Sequence, residues 1–236
     1  DPNEIRFELE KAIFLCQDGR PGPVWLDIPV DIQSSIVDET KLSSYNYKKH
    51  KICASNLELD SIYNKILKSS RPIVLVSNGI NISKANEALR NFLDYTKIPL
   101  ATAWAHDVIE HSHPSYIGKQ GSIGDRSGNF SVQNADLVII IGSRMPIRQV
   151  SYNWENFAKS AYIIQVDIDE NELKKPTLKI DLPIVSDAKI FIKKLTTILK
   201  DDKSFPINKH VEWLEWCKIR RKKYPVLQNH HCDKTK

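Results

Sequence analysis

Three stretches of the chain carry residue types that could hold or work on a ligand. Residues 118–129, GKQGSIGDRSGN, contain four of the chain's eight glycines and the pair Asp125-Arg126. Glycine lets a backbone come close to a bound group, and arginine matches a phosphate with parallel N–H donors. A helix predicted at 129–134 would start with free N–H groups that favour anions. The spacing is neither GxGxxG after a strand nor GxxxxGK before Ser or Thr, so neither standard phosphate loop is present. A surface loop with turn glycines is the competing reading. The second stretch is Gly142-Ser143-Arg144, directly after an apolar run. In an open α/β sheet, ligands bind just past the carboxyl ends of strands. Glycine and arginine at such an end could meet a phosphate, although a core strand ending in an ordinary turn would contain them equally well. The third is Asp167-Ile168-Asp169, at the end of a predicted strand over 162–168. An acid there commonly takes a ribose hydroxyl in dinucleotide sites. Asp169 fits better as the cap of the next helix, and Asp167 stays open.

Other candidates are weaker. His106, His111 and His113 lie within eight residues but lack a carboxylate or cysteine partner at a familiar metal spacing, so packing or solvent explains them better. His50 falls in a polar segment and reads as solvated. The four cysteines, Cys16, Cys53, Cys217 and Cys232, form no CxxC pair, which argues against zinc. His230-His231-Cys232 are adjacent at a chain end, a poor arrangement for a specific site. GxSxG and HExxH are absent, and no complete catalytic constellation is visible.

These stretches need a scaffold, and the hydrophobic pattern supplies one. Residues 137–142 are apolar and mostly β-branched, without polar alternation, as in a strand covered on both faces. Further strands are predicted at 73–76, 98–103, 162–168 and 180–185, and helices at 57–69, 83–96 (with Ser83 as cap), 169–175 and 186–199. Alternating strands and helices predict an α/β fold: a doubly wound, Rossmann-like parallel sheet of five or six strands flanked by helices. Before this block, residues 3–18 read as an amphipathic helix started by Asp1-Pro2-Asn3. Residues 24–30 read as a short buried strand, and 34–54 as a polar linker. One helix and one strand cannot make a sheet, so this opening segment is expected to be part of a larger domain. After the block, residues 208–224 form another amphipathic helix, whose Val211, Trp213, Leu214 and Cys217 could face a partner.

Composition narrows the function classes. The hydrophobic fraction is 41% and the charged fraction 27%, normal for a globular protein. The net charge of +5 is partly local, in the run KIRRKK at 218–223. That run reads as a solvated helix face; without interleaved aromatics or a matching motif it does not indicate a nucleic-acid partner. No signal peptide or membrane-spanning run is seen, so a reducing, cytoplasmic setting without membrane partners is expected.

Several stretches resemble thiamine-diphosphate-dependent enzymes of the acetolactate synthase type. GRPGPVWLDIPVDIQ at 19–33 is similar to the end of that family's pyrimidine-binding domain. RPIVLVSNGI, IPLATAW, HPSYIGKQGSIGDRSGNFSVQNADLVIIIGSR and QVDIDENEL follow, in order, its central domain. The resemblance implies four segments: 1–33 ending the pyrimidine-binding domain, a linker at 34–55, the central domain at 56–204, and a lead-in helix at 205–236. It implies a parent protein that is a carboligase or decarboxylase of 2-oxo acids, using thiamine diphosphate and Mg²⁺ and forming a homodimer or homotetramer. The family's activating glutamate and its GDG…N motif lie outside these residues, so the segment would serve a structural role beside its own missing flanking domains. Flavin-containing members hold FAD in the central domain, and others hold ADP or nothing there. By matching motif, the contacts would be Arg20 near the diphosphate and Gly121, Asp125, Arg126 and Asn129 of the loop. Gly142, Ser143 and Arg144 would follow at the strand end, with Asp167 and Ile168 near the adenosine and Asp187 after the last strand. The chain carries Ser77-Asn78-Gly79 where flavin-binding members show a glycine triplet. A free-standing nucleotide-binding regulatory module and a spacer domain with an empty pocket are the alternatives.

Overall fold

A computed structural model describes residues 1–48 and 52–228. His50 and the His230-His231-Cys232 cluster lie outside the described residues. The chain divides into two compact units, at Lys51/Ile52, and each is taken by itself.

In the first unit, Asp1 caps the turn Pro2–Glu4 through the amide of Asn3, and α1 (Ile5–Leu15) follows. The segment expected to be an extended linker instead packs on this helix. Tyr45 lies edge-on to Phe7 with centroids 5.3 Å apart, Tyr47 lies 4.1 Å from Phe14, and the Tyr45 amide donates to Glu10 Oε2 at 2.8 Å. The two tyrosines supply the apolar faces that the helix needs. The strand expected at 24–30 does not form: these residues carry no strand pairing, and Val30 opens a short helix, α2 (Val30–Gln33). A strand needs a partner for its N–H and C=O groups, and Pro23 and Pro29 remove two donors from the stretch. None of the described residues of this unit is buried, and Trp25 is 90% exposed.

The second unit is built on six parallel strands: β1 (Pro72–Val76), β2 (Leu100–Thr102), β3 (Tyr116–Lys119), β4 (Leu137–Ile141), β5 (Tyr162–Asp167) and β6 (Leu182–Val185). Their order is β3-β2-β1-β4-β5-β6. β3 is the sixth strand that the pattern left open. It is four residues long, contains Gly118, and pairs with β2 through an irregular register, so its hydrophobic signal is weak. The helices are α3 (Asn56–Lys68), α4 (Gly79–Ile82), α5 (Asn86–Thr96), α6 (Arg126–Gln133), α7 (Ile147–Val150), α8 (Glu170–Leu173), α9 (Ala188–Asp201) and α10 (Val211–Lys223).

Side chains alternate across the sheet, and both faces are covered. Val74, Val76, Ile139, Ile141 and Ile164 pack with Ile62 and Ile66 of α3, Phe92 of α5 and Phe191 of α9. Ile73, Leu75, Val138, Ile140 and Ile163 face the other way, against Val132 of α6 and Trp213, Leu214 and Cys217 of α10. This accounts for the unbroken apolar runs in β1 and β4.

Caps fix the helix starts. Ser55 and Glu58 make a reciprocal capping box on α3. The single helix expected from Ser83 is broken in two: Lys84 takes a left-handed backbone at φ 54°, and the Ser83 hydroxyl donates to the Ile80 carbonyl instead of capping. α10 is held by the Trp213 indole N–H, which donates to the Pro72 carbonyl at 2.9 Å. Burial pushes the Cys217 thiol up to about 12. The basic run is only partly solvated. Arg220 lies 3.5 Å over the Trp216 ring, and Arg221 donates to the Tyr116 carbonyl at 2.7 Å. Among the described residues no helix is long and apolar enough to cross a membrane.

Candidate functional site at the carboxyl ends of the strands

The strand order reverses direction between β1 and β4, the point where open sheets of this order open a ligand crevice. Here that crevice is closed by backbone. Gly79 donates its N–H to the Gly142 carbonyl at 3.1 Å. A Cβ on Gly79 would come within 2.5 Å of Gly142 Cα, and one on Gly142, at φ +60°, within 2.8 Å of Gly79 Cα. Gly142 therefore admits the neighbouring loop, which differs from the expected approach of a ligand. Ser143 is also turned inward, its hydroxyl donating to Gln149 Oε1 at 3.0 Å while its carbonyl accepts from Gln165 Nε2 at 3.0 Å.

Arg144 is the exception in this group. It is exposed at the end of β4, and its guanidinium makes no hydrogen bond or ion pair among the described residues; only its carbonyl is engaged, by Lys175 Nζ. Next along the sheet, Asp167 is buried and accepts from the Asp169 amide at 3.1 Å. Asp169 caps α8 through the Asn171 amide, as its position predicts. Ile168 is half-buried between them. Asp187 accepts from the Ile190 amide at 2.9 Å and caps α9, while its own N–H donates to the Ile52 carbonyl.

The glycine loop sits three strand positions away, past β3. It is closed on itself. Asn129 makes a two-way pair with the Gly121 backbone at 2.9 and 3.0 Å, and Asp125 Oδ2 accepts from the Lys119 amide at 2.9 Å. α6 begins at Arg126, three residues before the expected start, so Asn129 lies within the helix and not ahead of it. The close contacts at Gly124 and Gly128 are with the Lys119 carbonyl. These glycines permit the loop to fold tightly, whether or not a ligand approaches. Arg126 is exposed, with its guanidinium carbon 5.8 Å from the Tyr224 ring. Gly124, Asp125 and Arg126 line a cavity of about 680 Å³ with residues 223–228. Arg20 belongs to the first unit, exposed in the turn after α1.

The histidine trio is held by packing. His113 is buried, accepting the Ser115 amide at Nδ1 and facing Asp94 at 3.3 Å, and His111 meets Arg221. Sequence reasoning passed over Trp104 and Arg148. Trp104 follows β2 and is 58% exposed, with the Arg148 guanidinium 4.8 Å from its ring. A tryptophan directly after a strand end was the available signal.

Residues 59–195 match the family model described as thiamine pyrophosphate enzyme, central domain. The chain is 33% identical over 221 residues to a probable acetolactate synthase large subunit of Methanocaldococcus jannaschii, covering 91% of this chain and 36% of that protein. It is 32% identical over 229 residues to the acetolactate synthase large subunit of Corynebacterium glutamicum (95% and 36%), and 30% over 228 residues to that of Lactococcus lactis (94% and 38%). The chain thus spans little more than a third of the length of these relatives. With six parallel strands covered on both faces and this match across most of the sheet unit, the chain belongs to the thiamine-diphosphate-dependent enzymes, as an acetolactate-synthase-like central domain.

Proposed function

We propose that this domain serves a carboligase or decarboxylase of 2-oxo acids as its structural centre, holding an adenine or flavin nucleotide (ADP or FAD) at the strand ends. The observation that carries the nucleotide reading is Arg144, an exposed, unpaired cation at the carboxyl end of a central strand. A phosphate would be held there by side chains, since the backbone amides of the glycine loop are directed into the loop itself. Residues 1–33 would finish the pyrimidine-binding domain and 205–236 lead into the diphosphate-binding one. The exposed Ile13, Trp25 and Val30 support the first assignment, because apolar groups of this size ordinarily meet a partner surface. The parent protein would be a cytoplasmic homodimer or homotetramer.

Thiamine diphosphate with Mg²⁺ does not fit the residues described. Asp125 is the acid of Gly124-Asp125-Arg126, and it already accepts the Lys119 amide. No step is therefore derived through that cofactor from these residues. A spacer role without nucleotide is the second reading, favoured by the Gly79–Gly142 contact at the crevice.

Calorimetric titration of the chain with ADP and FAD separates the two. Nucleotide binding that weakens tenfold or more in Arg144→Ala supports the first reading, in line with the ~1.5–3 kcal/mol of a charged hydrogen bond. Absence of binding and of any thermal shift leaves the spacer role alone.

A further inference from the structure

We infer that Trp104 and the β4–α7 loop form a ring-stacking subsite, in which Trp104 takes the planar heterocycle of a nucleotide whose phosphates face Arg144. This rests on the nucleotide reading above and extends it to residues with no role assigned so far.

The ring is presented, not packed away. A tryptophan ordinarily buries most of its surface, yet Trp104 is 58% exposed at the end of β2, with Arg148 stacked against it. The guanidinium covers one part of the ring, leaving apolar surface open to a second flat group. Neighbouring elements hold this pair in place. The Gln120 amide donates to the Thr102 carbonyl at 2.9 Å, tying the loop after β3 to the strand that ends beside Trp104. Ser122 then donates both its amide, at 2.8 Å, and its hydroxyl, at 2.9 Å, to the Arg148 carbonyl.

The loop that carries both arginines is preorganised from beneath. Gln120 Nε2 donates to the Gln149 carbonyl at 2.6 Å, Ser143 Oγ to Gln149 Oε1, and Gln165 Nε2 to the Ser143 carbonyl. Ser143, Gln149, Gln165 and Gln120 are all buried. The same loop holds two non-glycine residues at left-handed angles, Met145 at φ 46° and Ser151 at φ 65°. Strain of this kind persists where surrounding structure over-determines it, and it clusters at ligand clamps. Residues 143–153, SRMPIRQVSYN, contain two arginines and no acid, so the local charge suits an anionic ligand. Stacking on an aromatic ring and cationic contacts to phosphate are the two interactions that a nucleotide offers together.

The test uses three probes on the same chain: ADP, FAD and inorganic pyrophosphate, titrated by calorimetry. Trp104→Leu is expected to weaken ADP and FAD at least tenfold while leaving pyrophosphate within about twofold, because only the first two carry a ring. Arg144→Ala is expected to weaken all three. Trp104→Phe, which keeps a ring, should recover most of the lost affinity. Unchanged ADP and FAD binding in Trp104→Leu overturns the subsite while leaving the nucleotide reading intact. Equal loss for all three probes in both Trp104 variants marks damage to the loop and overturns it as well. A wild-type chain that binds none of the probes removes the nucleotide reading, and the subsite with it.

Discussion

At the residue scale, glycines and buried acids do most of their work inside the protein. Gly142 was legible as the end of a strand, but its chemistry was not. The same residue type serves a ligand's approach or a neighbouring loop's, and only the position of Gly79 decides which. Gly142→Ala should destabilise the sheet unit by about 3 kcal/mol, from a left-handed angle and a displaced loop together. Urea unfolding measures this, and a change under about 0.5 kcal/mol would show that the two loops can separate freely. Asp136, just before β4, follows the same logic. Burial raises its carboxyl, but hydrogen bonds from the Ser69 hydroxyl and the Ser70 and Arg71 amides outweigh that and hold it below the ordinary value. It ties the start of β4 to the residues between α3 and β1.

At the element scale, α10 shows how a helix assigned to a missing neighbour can belong to the domain at hand. Its spacing marked Trp213, Leu214 and Cys217 as an apolar face. Pattern alone could not say that the sheet's own second face would take them. His210, the residue before the helix, is fully buried, with Nε2 3.4 Å from the Ser69 carbonyl and no hydrogen-bond partner for Nδ1. Burial pushes this imidazole below its ordinary 6.5, and Lys209 acts the same way, against the Ser69 and Thr96 carbonyls and Asp136. The folded state therefore keeps it neutral while the unfolded chain takes up a proton near pH 6.5. By linkage, this contribution to stability is present above that pH and is lost as pH falls through it. Urea midpoints should drop between about pH 7.5 and about pH 5.5, and the drop should shrink in His210→Gln. An identical pH slope in the variant would clear His210 of this role.

For the whole molecule, the two units differ in kind. The sheet unit has a covered core on both faces, whereas the first unit buries none of its described residues. Residues 52–236 alone should therefore unfold in one cooperative thermal step. Calorimetry that finds a broad, non-cooperative melt would show that the core needs the preceding residues. The doubly wound class was readable because β1 and β4 have no polar alternation, and such runs have few solutions besides a sheet covered on both sides. The strand expected at 24–30 failed for the complementary reason: hydrophobicity marks a segment that wants burial, but pairing partners decide whether it becomes a strand.

By itself, the sequence determined the alternation of strands and helices, most of the sheet, and the family, since these depend on local periodicity and on motif order along the chain. Tertiary structure alone decided that the glycine loop closes on itself, that Gly142 meets Gly79, and that Trp104 stands open beside Arg148. Each depends on contacts between residues far apart in the chain. In a parallel sheet, the loops that meet at one rim are separated in sequence by whole helices, so no local pattern records which of them touch.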